Sequence, residues 1–184
     1  MIELKNIIFK EYAELNDKSE YDFAIEYSKQ FKKEEDIFGI GNFTQLEFGI
    51  VKDLQYDIQN GLLWSKMLEY MALLSNKKIE EIYTLKLLKV IRFRNYIVNQ
   101  IKFIVDIEDK TLSYEPSSDE LKAGISELNK YGVYNQFLTI AGNDPLKIDA
   151  VRKMKYEDAF VFLCYQKDHS DFERRLMEIR TKPE

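Results

Sequence analysis

The chain has 184 residues and a formal net charge of −5, from 27 basic and 32 acidic side chains. Its single cysteine, Cys164, excludes an internal disulfide and a cysteine-rich metal site, while 7 glycines and 3 prolines leave little room for long coil. Aromatic residues make up 14% of the chain, which excludes disorder and leaves large side chains over for contacts with partners.

With one cysteine, a cytosol-like folding compartment is expected, and the opening, MIELKNIIFKEYAEL, does not read as a signal peptide. Met1 to Phe9 alternates loosely and reads as a short strand or an extended arm. Asp22 to Lys33 reads as a helix through Phe23, Ile25, Tyr27 and Phe31, and Gly39 and Gly41 mark a turn or hinge rather than a phosphate loop. The residues 1–43 are taken as an N-terminal arm with a first helix, and 44–184 as the helical domain. Residues 1–60 carry 7 basic and 13 acidic side chains, whereas 77–102 carry 7 basic and 2 acidic. An acidic arm can therefore attract a basic helix, within one chain or between copies; the plain alternative is ordinary solvated surface.

Thr44 to Asn60 places Leu46, Ile50, Leu54 and Ile58 four apart, and Leu62 to Ser75 continues the apolar pattern around the lone Trp64. Trp64 is expected to anchor a core or a groove. The longest element runs from Lys78 to Val105, with Arg92, Arg94 and Lys102 off the centre of its apolar face. Those charged residues break the apolar run from Ile79 to Ile107, so it does not read as a membrane span. Phe103 to Tyr114 reads as a helix running into a loop, or as one short β-hairpin turning at Asp109-Lys110. Ser117 to Glu120 form a capping box that starts a helix carrying Leu121, Ile125 and Leu128, which is expected to close at Gly132. A short helix over Val133 to Ala141 ends at Gly142, and Asp144-Pro145 restarts the chain as N-cap and first helical residue. Tyr156 to Arg180 is the last helix, with Arg174, Arg175 and Arg180 crowding its end, where positive charge complements the helix dipole. No internal repeat is visible. The fold class read from these patterns is mainly α, a helical bundle with an N-terminal arm.

The residues that carry chemistry elsewhere stand here in unhelpful settings. His169 lies in the polar run QKDHSD with no second histidine, and Cys164 sits between Leu163 and Tyr165 as a packed thiol. The acidic groups Glu34-Glu35-Asp36, Asp106-Glu108-Asp109 and Asp168-Asp171 match no calcium loop and read as solvated faces. The basic run Lys86, Lys89, Arg92 and Arg94 could touch a nucleic-acid backbone inside a larger assembly, against the acidic total. No catalytic residue, metal ligand or cofactor is assigned; Trp64, Arg92, Arg94, Arg174, Arg175 and Arg180 are the candidate interaction residues.

The stretch from Glu127 to Ile179 contains Ala141, Gly142, Asp144 and Pro145 before a short helix, then Met154 and Tyr156 leading into an aromatic helix with Phe160, then Arg174-Arg175. In this it resembles small helical proteins encoded in the structural modules of tailed bacteriophages, especially crAss-like phages. The resemblance covers roughly the last 60 residues. It implies a non-enzymatic virion component at the neck or tail, or a tail-assembly chaperone absent from the mature particle. The expected partners are further copies in a cyclic oligomer, whose neighbours would hold the chain ends, together with portal, neck or tail proteins. The expected location is the virion, assembled in the host cytoplasm, with no membrane contact. The alternatives from other classes are a small metal-dependent hydrolase or nuclease using the scattered carboxylates, and a regulator that binds a host protein.

Overall fold

Apolar residues at three- and four-residue spacing dictate helices, and helices are what the chain forms. The computed structural model describes residues 6–181, apart from the side chains of Ala24 and Tyr27. Ten α-helices occur among them: α1 (Phe9–Glu14), α2 (Ser19–Tyr27), α3 (Phe48–Gln59), α4 (Trp64–Ser75), α5 (Ile79–Tyr83), α6 (Leu87–Thr111), α7 (Ser118–Lys122), α8 (Tyr134–Ile140), α9 (Ile148–Arg152) and α10 (Tyr156–Thr181). Among the described residues there is no β-strand, only two isolated bridges. The short-hairpin alternative is not adopted: α6 runs through the segment to Thr111, with Ile97, Ile101 and Ile104 buried at helical spacing along it. The possible strand over the first residues lies largely outside the described residues.

The chain divides into two compact units, Met1–Phe43 with Leu54–Phe103, and Thr44–Asp53 with Ile104–Glu184. The arm therefore belongs with the middle of the sequence, and residues 44–53 with its end.

In the first unit, Phe9, Phe31, Phe43, Met71, Ile82, Leu87, Phe93 and Ile97 form the core. The helix expected over Asp22 to Lys33 stops at Tyr27. The carbonyls beyond it are turned toward α6, where Asn95 Nδ2 donates to the Phe31 and Lys33 carbonyls at 2.6 and 3.2 Å. The turn at Gly39 and Gly41 holds as expected: both have positive φ, and the Asp36 carboxylate accepts from the Gly41 amide at 2.8 Å. The single long helix expected from Lys78 is broken between α5 and α6. There the backbone pairs with the segment before α1: the Phe9 amide donates to the Leu85 carbonyl at 2.7 Å and the Leu87 amide to the Ile7 carbonyl at 2.9 Å. These bonds fill cap positions that an uninterrupted helix would have satisfied internally.

The second unit is built around Phe48, Val51, Ile104, Phe137, Val151, Tyr156, Ala159 and Leu163, all buried. The Ser117 capping box forms, with the Ser117 amide donating to the Glu120 carboxylate at 2.8 Å. Its helix is shorter than expected. α7 ends at Lys122, because Gly124 takes a left-handed φ of 83°, and a 3-10 turn (Ile125–Tyr131) follows. Asp144 caps as expected, accepting from the Leu146 amide at 3.0 Å, but it opens a 3-10 turn that leads into α9.

Each unit contains the same backbone device. In the second, the Phe48 amide donates to the Met154 carbonyl at 2.7 Å and the Tyr156 amide to the Leu46 carbonyl at 2.8 Å. A five-residue helix, α5 or α9, precedes the pairing, and a long helix of 25 or 26 residues, α6 or α10, follows it. Ile79, Ile82, Leu85 and Lys86 correspond to Ile148, Val151, Met154 and Lys155, and buried Phe9 corresponds to buried Phe48. So few shared positions explain why no repeat is visible in the sequence.

Candidate functional site

In the first unit, Trp64 begins α4 and is 38% exposed. Its ring lies 5.7 Å from that of Phe9, and the Arg94 guanidinium sits 5.3 Å over its face. Phe9, Tyr12, Trp64, Leu68 and Tyr83 line a slot of about 260 Å³ with Lys18 at its edge. Burial pushes the Tyr12 hydroxyl up from its ordinary pKa, and its 2.5 Å bond to Asp22 adds to this. That hydroxyl is a held donor, not a base. Burial also lowers the Arg94 guanidinium from its usual value. Trp64 therefore lines this slot partly exposed, and Arg94 is brought to its face as a stacked cation.

Arg92 is used differently. Its Nε donates to the Gln30 carbonyl at 3.0 Å and its Nη1 meets Glu35 at 3.2 Å, so it ties the acidic arm to α6 within the chain. Asn99 adds a bond to Glu34 at 2.9 Å. The attraction expected between arm and basic helix therefore operates inside one unit.

In the second unit, Arg174, Arg175 and Arg180 lie on the last turns of α10. Arg174 pairs with Asp171 at 2.8 Å, whereas Arg175 and Arg180 make no ion pair among the described residues. The same helix exposes Val161, Tyr165, Phe172, Met177 and Ile179, each more than half accessible. A groove of about 410 Å³ runs beside it, lined by Leu112, Tyr114, Gln136, Leu163 and Asp171 among others. At the groove's rim the Tyr114 hydroxyl donates to Glu120. That bond and those from Ser117 hold the Glu120 carboxyl at a pKa of about 2.

The strongest electrostatic feature departs from the expectation of a solvated acidic face. Glu108, grouped with a solvated acidic run, is the centre of a buried cluster. Lys52, 3% exposed, donates to both its oxygens at 2.6 and 2.7 Å, and the Tyr156 hydroxyl donates at 2.6 Å. Burial lowers the Lys52 pKa, partly opposed by Glu108, and burial raises that of Tyr156. This is a clamp joining α3, α6 and α10, with its hydrogen bonds directed inward. The signal available in the sequence was one charge on each of two apolar faces: Lys52 four residues after Phe48, and Glu108 four after Ile104.

His169 is exposed, 3.8 Å from Glu173, as a surface histidine should be. Cys164 is a free thiol whose pKa is raised by burial and then by Asp168. Among the described residues no group of three or more His, Cys, Asp or Glu is placed to hold a metal, and no helix is long and apolar enough to cross a membrane. Comparison with known proteins finds no matching family model, no matching curated protein and no matching solved structure.

Proposed function

We propose that this chain is a non-enzymatic assembly protein, a structural subunit of a tailed-phage virion that forms part of a ring at the head–tail connector or in the tail. The observation that supports this reading best is the exposed side of α10. Val161, Tyr165, Phe172 and Ile179 stand 54 to 70% exposed along one face of that helix. Apolar side chains concentrated in this way suit contacts with other subunits. The slot around Trp64 and Arg94 supplies a second surface of interface composition, since Trp and Arg are the residues that most often dominate binding. The phage setting itself rests on the resemblance of residues 127–179.

Two measurements test the reading. Native mass spectrometry of the purified chain should show a discrete oligomer, and purified virions should contain the chain. A strict monomer that joins no particle refutes it. Recovery on assembling tails but not on mature particles would make the chain an assembly chaperone instead.

A further inference from the structure

The face of α10 that points away from the unit's core carries a self-complementary pattern. Val161, Tyr165, Phe172 and Ile179 follow at steps of four and seven residues, so they fall within about 40° of one another around the helix. The buried residues of this helix, Tyr156, Ala159 and Leu163, lie on its other side. Two charged residues edge the stripe, Asp168 and Arg175, and neither makes an ion pair among the described residues. Neighbouring Lys167, Arg174 and His169 are by contrast engaged along the helix with Asp171 or Glu173.

The pattern is nearly symmetric about Phe172. Tyr165 lies seven residues before it and Ile179 seven after; Asp168 lies four before and Arg175 three after. We infer that this face docks against the same face of a second copy, with the two α10 helices antiparallel and a two-fold axis at Phe172. In that arrangement Phe172 packs on the partner's Phe172, and Tyr165 on the partner's Ile179. Asp168 then meets the partner's Arg175, twice by symmetry. A parallel pairing in register would instead set Asp168 beside the partner's Asp168 and Arg175 beside the partner's Arg175, two like-charge contacts that disfavour it. The charges therefore choose the orientation and the apolar stripe supplies the burial.

The inference rests on the reading of the chain as an assembly subunit and names one of its contacts. That contact is isologous: it pairs two subunits and closes there, so a ring would use a further, head-to-tail surface.

Sedimentation equilibrium of the full chain tests it, with disulfide trapping to give orientation. Wild type should show a concentration-dependent dimer or an even-numbered oligomer. Phe172→Glu should weaken the pairing at least 100-fold, with an unchanged circular dichroism spectrum because Phe172 is exposed. Asp168→Arg and Arg175→Asp should each weaken it, and the double swap should restore it. In a Cys164→Ser background, Phe172→Cys should cross-link with itself. Arg175→Cys should cross-link with Asp168→Cys chains and not with itself. If Phe172→Glu leaves an existing oligomer unchanged, or Arg175→Cys cross-links with itself, the interface is wrong while the assembly reading stands. If the wild-type chain is monomeric at every concentration, the interface is also wrong; incorporation into particles then judges the assembly reading separately.

Discussion

Removing the charge of Glu108 should be among the most damaging single changes in this chain. Lys52 is 3% exposed and its ammonium is held by both Glu108 oxygens, at 2.6 and 2.7 Å. Glu108→Gln keeps an oxygen for the Tyr156 hydroxyl but leaves the ammonium buried without a counter-charge. Breaking a buried pair from one side costs about 3–5 kcal/mol, a large share of the 5–15 kcal/mol that is typical for a domain. With a urea slope of about 2 kcal/mol/M, the unfolding midpoint followed by far-UV circular dichroism should fall by about 2 M. Glu108→Leu should be worse by a further ~1 kcal/mol, because it also strands the buried Tyr156 hydroxyl. The combined Lys52→Met, Glu108→Leu and Tyr156→Phe variant removes every polar partner together. It should return to within about 1 kcal/mol of wild type or exceed it, since apolar replacements of buried ion pairs are often neutral or stabilising. A Glu108→Gln midpoint within experimental error of wild type would refute the reasoning, because Lys52 would then be finding water that its burial excludes.

Gly49 sits in the first turn of α3, and a Cβ there would come within 2.9 Å of Arg152 Cβ and 3.1 Å of its Nε. Alanine improves helix propensity by about 1 kcal/mol, but overpacking of this kind costs about 1–3 kcal/mol. Gly49→Ala should therefore be net destabilising in urea unfolding, and a stabilised variant would contradict the close contact. Trp64 is the chain's only tryptophan, so its fluorescence reports the slot directly. Arg94→Ala should increase acrylamide quenching by uncovering the ring face, whereas Arg92→Ala should leave quenching unchanged and loosen the arm. For Glu120, the depressed carboxyl means that the α7 cap is complete above the ordinary carboxylate range and is lost as the pH falls toward about 2. Its NMR titration midpoint should lie near that value and move upward in Tyr114→Phe, since the Tyr114 bond is the largest cause of the depression.

Among the candidate residues, those argued from neighbours along the chain fared differently from those that depend on distant ones. That Trp64 must be partly housed follows from its aromatic bulk, and the Arg-rich end of α10 is visible because it is local. That Arg94 would cover Trp64 while Arg92, two residues away, would hold the arm depends on which way each side chain leaves α6. Spacing alone does not settle that. The acidic neighbours Asp106 and Asp109 make Glu108 read as surface, yet the helix turns it about 100° or more away from both, toward Lys52 and Tyr156.

The sequence by itself determined the helical class, the Ser117 and Asp144 caps, the turn at Gly39 and Gly41, and the start of α10. All of these follow from propensity, capping and periodicity over a few residues, where local energy decides. Tertiary structure alone decided that α5 and α6 are separate, that residues 44–53 fold with the end of the chain, and that one backbone bridge is used in both units. It also decided that Lys52, Glu108 and Tyr156 meet. These depend on hydrogen bonds and charges between residues 48 to 110 positions apart, and a buried charge or a broken helix is tolerated only when its distant partner is in place.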